Sequence, residues 1–244
     1  MKPEDLDRIF ARAGAEHHVE QQVEPELLRR ISAAILPGLR PVRPMPSDRV
    51  IVAGLLLLTA AVGIAGASIL GMYGIRKLSG FEAASIFVVV GLFAWLAASQ
   101  SAAEMVPGSR RLVNPAVLVC TGILTLMAVF AALFGGNAGS YAMDGFVQQG
   151  VGCLRAGLMH ALPAAGGTWL ILRRGMAVNR TAAGIAAGTL AGLAGVTMLS
   201  LHCPNLRAIH VMAWHVAVVP VSAAAGALLA RALTFRERSA ARRS

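Results

Sequence analysis

The chain has 244 residues, of which 56% are hydrophobic and only 14% charged. That is too apolar for a soluble domain. A formal charge of +10 would suit a nucleic-acid partner, but most basic residues flank apolar segments, as membrane topology requires, so no direct nucleic-acid contact is expected.

In chain order, residues 1–49 read as a cytoplasmic tail with no secretory signal peptide, because the first apolar run begins only at Val50. Leu6, Ile9 and Phe10 share one face of a short helix, and Leu27, Leu28 and Ile31 share a face of a second. Neither stripe is long enough to hold a helix alone in water, so both are candidate partner-docking surfaces. Residues 37–48 carry four prolines and form a semi-rigid spacer.

Six apolar segments follow, at 50–72, 83–103, 114–134, 153–172, 181–201 and 209–230. Each approaches the twenty or so apolar residues that cross a hydrocarbon core, and no alternating barrel pattern is present. The expected fold is therefore an all-α integral membrane protein. It has a short, partly helical N-terminal tail, a six-helix domain over 50–231 and a basic C-terminal tail over 232–244. With the N-terminus in the cytoplasm, only Arg76, Lys77, Arg155 and Arg207 fall on the far side, which places both termini inside. Gly184, Gly188 and Gly192 give the fifth segment a small-residue face for close helix packing. Pro163 and Pro220 should kink the fourth and sixth segments.

The polar residues of interest gather at the non-cytoplasmic ends. Cys153 opens the fourth segment and Cys203 follows the fifth, so both thiols lie near one interface. In an oxidising compartment they could form a reversible disulfide. Cys120 lies inside the third segment and reads as a packed thiol. His202, His210 and His215 lie near the pair, with Met198 and Met212; Trp214 reads as an interfacial anchor. Cys153, Cys203, His202 and His210 are ligand types suited to copper or zinc, or the histidines are simply packed at the interface. His210 and His215, five apart, do not share an α-helical face. No phosphate loop, catalytic triad or HExxH motif is present, so no enzymatic activity is expected.

Several of these features occur together in a known family. They are the Pro41-Val42-Arg43-Pro44-Met45-Pro46 spacer, Gly152-Cys153-Leu154 with Gly157, Leu172-Arg173-Arg174-Gly175, Leu201-His202-Cys203-Pro204, and Trp214-His215. The chain resembles the NrsF-type membrane anti-sigma factors, negative regulators of an extracytoplasmic-function sigma factor. The resemblance implies a bacterial inner-membrane protein whose cytoplasmic tail holds the sigma factor at the bilayer. It also implies that Cys153 and Cys203 serve the response to oxidants or metals. A small metal or solute permease is the alternative.

Overall fold

The computed structural model describes residues 29–30, 33–34, 45–106, 109, 113–136, 143–175, 177 and 179–241. Residues 29–30 and 33–34 are helical. The docking stripes Leu6, Ile9, Phe10 and Leu27, Leu28, Ile31 lie outside the described residues. From Met45 onward the described chain is helical apart from its connections, as the composition requires.

Helix α1, Asp48–Leu70, starts with an acidic residue in its first turn, where a negative charge meets the positive end of the helix dipole. It stops at Gly71, whose φ of +100° is open to glycine and strained for other residues. A turn containing the 3₁₀ segment Ile75–Lys77 leads to α2, Gly80–Ala103. Ser79 and Glu82 close a capping box there: Glu82 N–H donates to Ser79 Oγ, and Ser79 N–H donates to Glu82 Oε2. Helix α3, Pro115–Phe134, is capped by Asn114 with proline in its first turn. Helices α4, Met143–Leu172, and α5, Arg180–His202, complete the central part. The last segment is composite: one α-turn at Ala208–His210, a π-helical stretch at Val211–His215, and α6, Val218–Ala241.

Among the described residues, five helices are long and apolar enough to cross a membrane: α1, α2, α3, α5 and the composite segment over Ala208–Phe235. The chain is thus a helical membrane protein. Helix α4 is 30 residues long but is not among those five, because Arg155, His160 and the stretch Pro163–Gly167 dilute its apolar run. It also starts well ahead of the expected 153, so Cys153 sits inside the helix rather than at its opening. Pro163 lies within α4, whereas Pro220 falls in the first turn of α6, where a missing N–H costs little.

Helix α5 is the axis of the bundle. Of its most apolar stretch, 72% is buried inside the protein, against 28–33% for the other four candidate spans. Its glycines explain why. A side chain at Gly192 would reach within 2.8 Å of Val219 Cα, and Gly184 and Gly188 lie as tightly against Gly226 and Ser222. The expected small-residue face is therefore the α5–α6 interface. Around this axis Phe130, Phe134, Leu55, Ile86, Leu190, Leu193 and Leu199 are fully buried. Val50, Leu57, Ile64, Leu124 and Leu228 point outward, as lipid-facing side chains do.

Candidate functional site: a thiol–imidazole cluster

At the end of the bundle where α5 finishes, the chain makes an elbow, His202-Cys203-Pro204. Cys203 N–H still donates to Leu199 O at 2.8 Å, and Pro204 then prevents the helix from continuing. Cys203 is buried there. The third turn of α4 brings Cys153 to it, with the two sulfurs 3.6 Å apart. Both thiols belong to one cluster, as their shared end of the sequence suggested.

The histidines divide differently from their order in the chain. His210 Nε2 lies 3.7 Å from Cys203 Sγ. His215 joins it, and the ligand atoms of Cys153, Cys203, His210 and His215 all lie within 4.8 Å of one another. His202 faces away: its Nδ1 is 2.7 Å from Gly71 O, and its ring leans on Tyr73. It lines the mouth of the cavity but is not one of the four converging groups.

The π-helical stretch explains why His215 was not legible from spacing. In an α-helix, residues five apart diverge; in a π-turn they stack, since the hydrogen bonds run from i to i+5. Val216 N–H donates to Val211 O, five residues back, at 3.2 Å. Just beyond it, Pro220 has no N–H to offer Val216 O, and Val219 N–H takes that carbonyl instead, at 3.1 Å. The same turn sends Trp214 inward onto Phe146 and the bare backbone of Gly150. Its Nε1 is buried without a hydrogen bond, unlike that of a headgroup anchor.

Electrostatically, the cluster is held in tension. Outside the helices, the Cys203 thiol is pulled below the ordinary cysteine range, first by the hydrogen bond from Cys153. Burial works against this, and the nearby imidazoles of His210 and His215 add to it. His210 and His215 are fully buried; His210 Nδ1 meets no hydrogen-bond partner, and the ring nitrogens of His215 meet none in good geometry, their one polar neighbour being the Cys203 thiol. Buried polar atoms left in this way cost about 1–3 kcal/mol each, so a site lined by them calls for a ligand.

Two of the six ligand–ligand separations match a tetrahedral thiolate–imidazole ion, and all four ligand atoms lie within 4.8 Å of one another, so the set could close on one. With metal–sulfur bonds of about 2.3 Å and metal–nitrogen bonds near 2.0 Å, two sulfurs lie about 3.8 Å apart and a sulfur–nitrogen pair about 3.5 Å. The observed separations are 3.6 and 3.7 Å. A disulfide, by contrast, would require the sulfurs to close to about 2.05 Å. Above the cluster a cavity of about 280 Å³ opens at the end of the bundle, floored by Ala156 and Leu199. Gln149 and Asn205 lie at its mouth, joined by a hydrogen bond from Asn205 Nδ2 to Gln149 Oε1 at 3.2 Å.

The fold and the cluster together define a helical membrane protein with a buried thiol–imidazole site at one end of its bundle. Residues 37–235 match the family NrsF, described as negative regulator of sigma F. The chain belongs to that family, so its partner is a sigma factor and its role is regulatory rather than enzymatic. No curated protein and no solved structure matches it.

Proposed function

We propose that this protein is an inner-membrane anti-sigma factor. Its tail sequesters an extracytoplasmic-function sigma factor and releases it when the cysteine cluster meets a metal ion or an oxidant. The observation that carries the sensing half is the convergence of Cys153, Cys203, His210 and His215, with poorly partnered imidazole nitrogens, beneath an open cavity. Thiolate and imidazole select soft or borderline ions, so Cu(I) or Zn(II) is the expected ligand class. Such an ion would supply a crosslink between α4, the Cys203 elbow and the turn before α6. Oxidation is the second route, favoured by the 3.6 Å approach of the two thiols.

Orientation follows from charge. In the sequence only Arg76, Lys77, Arg155 and Arg207 fall in the connections on the cysteine side, an asymmetry that supports cysteines outside and both termini in the cytoplasm. The tail is then on the same side as the sigma factor, with the stripes Leu6/Ile9/Phe10 and Leu27/Leu28/Ile31 as its docking surfaces.

The test is co-purification of full-length protein from membranes, with the sigma factor identified by mass spectrometry. Its capture, abolished by Leu27→Asp/Leu28→Asp and reduced by Zn(II), Cu(I) or diamide, is the expected result. Release that persists in a Cys153→Ser/Cys203→Ser variant would overturn the sensing assignment. Capture by a protein lacking residues 1–36 would overturn the tail assignment.

A further inference from the structure

His202 is joined to Cys203 by a single peptide bond, yet it is not one of the four converging groups. Its hydrogen bond crosses from the end of α5 to the end of α1, where Nδ1 meets Gly71 O at 2.7 Å. Gly71 is held in its positive-φ conformation next to Tyr73, and Tyr73 in turn packs on the His202 ring.

A second strand of contact runs through the backbone. The last carbonyls of a helix lack partners within it, and for α5 the partner comes from the α1–α2 turn: Gly74 N–H donates to His202 O at 3.1 Å. The approach is so close that a Cβ on Gly74 would stand 2.6 Å from Cys203 O and 2.8 Å from Ser200 O. The α1–α2 turn is thus bonded to the same elbow that carries the cluster's buried thiol.

Below the elbow, α1 follows α5 closely. Gly63 rests on Thr197, where a Cβ would come within 2.7 Å of Thr197 Cγ2, and Gly66 rests on Met198 and His160. Packing this tight leaves no room for α1 to remain in place if the elbow moves. Helix α1 is also the helix into which the N-terminal tail leads in sequence.

We infer that His202 is a positioning residue that couples the Cys203 elbow to α1, through Nδ1 to Gly71 O, so that α1 is the output arm of the sensor. The inference rests on the sensing reading given above and names its route. Closing the sulfurs from 3.6 Å to the disulfide length of about 2.05 Å, or drawing four ligands onto one ion, must shift Cys203. The His202 clamp makes Gly71 and the top of α1 move with it.

The test uses full-length protein in nanodiscs, with hydrogen–deuterium exchange over residues 48–79 measured with and without Zn(II). Metal binding is measured in the same samples by competition with a chromophoric chelator. In the wild type, Zn(II) should change exchange several-fold in the 71–79 turn and along α1. His202→Phe keeps the ring against Tyr73 and the backbone bond to Gly74 but has no Nδ1, so it should bind zinc as the wild type does yet show an α1 exchange change several-fold smaller. His202→Asn, whose amide nitrogen occupies nearly the place of Nδ1, should restore the response. An α1 response in His202→Phe equal to that of the wild type would overturn the clamp and leave the cluster reading standing. Loss of zinc binding in both His202→Phe and His202→Gln would also overturn it, by making His202 part of the metal-holding shell. A wild type that binds no zinc and shows no exchange change with diamide would overturn the sensing reading itself, and the clamp with it.

Discussion

His210 and His215 meet edge to face, with ring centroids 5.4 Å apart and planes at 79°, although five residues separate them. Only the π-turn over Val211–His215 allows this. It turns two histidines that an α-helix would spread around its surface into a pair aimed at Cys203. The arrangement predicts that the two rings are equal partners in metal binding. Either His210→Ala or His215→Ala should weaken Zn(II) affinity by at least about tenfold, whereas Cys120→Ser should change nothing. Co(II) substitution gives the readout. A tetrahedral thiolate–imidazole site shows visible absorption and thiolate charge-transfer bands, which both variants should lose or shift and which excess chelator should erase.

Deleting Ala213 separates the turn from the side chains. Removing one residue from a π-turn restores an α-helix in which the two histidines stand four apart and still share one face. The expected outcome is a folded protein, with unchanged helix content by circular dichroism, that keeps a cobalt spectrum. Its loss would show that the wide turn itself, and not only a shared face, aims the rings at Cys203.

How much of this was legible follows from the physics of each signal. The helices read easily, because uninterrupted apolar runs such as Ile51–Leu70 are dictated by the lipid solvent. Cys153 and Cys203 read as neighbours because helix ends, located by apolar length, fix which interface a residue occupies. The start of α4 did not, since Gln148 and Gln149 lie in a polar extension beyond the apolar run. His215 reads as turned away from His210 because α-helical spacing does not hold in a π-helical stretch, and Trp214 reads as a headgroup anchor from its place near a segment end, whereas its ring packs on Phe146. His202 looked like a ligand by adjacency to Cys203, but neighbouring residues at a helix end point in different directions, and its ring turns to Gly71.

Oxidation should join Cys153 to Cys203 and leave Cys120 out. Cys120 is exposed on the outer surface of α3, far along the sequence from either partner. The sulfurs of the pair need to approach by about 1.5 Å to reach bonding distance. Peptide mapping under non-reducing conditions after diamide treatment should recover a 153–203 crosslink within one chain. Pre-loading with Zn(II) should slow its formation, because the ion occupies both sulfurs. A crosslink to Cys120, or none at all, would contradict the geometry.

Gln100 is fully buried near the opposite end of the bundle, donating from Nε2 to Glu104 Oε1 at 2.9 Å and accepting from Val113 N–H at 3.4 Å. It ties the end of α2 to the chain entering α3. Gln100→Leu keeps the volume but removes both bonds, which should destabilise the protein by about 1–3 kcal/mol. Thermal unfolding in detergent, followed by circular dichroism, should show a lower Tm. Zinc binding at the far end should be unaltered, because no cluster residue contacts this pair.

The last prediction tests whether α5 is the axis of the bundle. Alanine at Gly192 would place a Cβ 2.8 Å from Val219 Cα and 3.1 Å from Val218 O, both backbone atoms that cannot swing aside. Alanine at Gly166 on α4 meets nothing within 4 Å. The same substitution should therefore act in opposite directions. Gly166→Ala gains helix propensity, worth up to about 1 kcal/mol, and should hold or raise Tm. Gly192→Ala must push α6 away from α5 and should cost about 1–3 kcal/mol. Val218 and Val219 follow closely after His215, so the displacement should also reach the cluster. Gly192→Ala is expected to lower Zn(II) affinity and broaden the cobalt bands, although its side chain lies well down α5 from the ligands. If Tm falls while the cobalt spectrum stays sharp, α6 is free to move without disturbing His210 and His215, and the wide turn rather than the α5–α6 contact is what holds the pair in place.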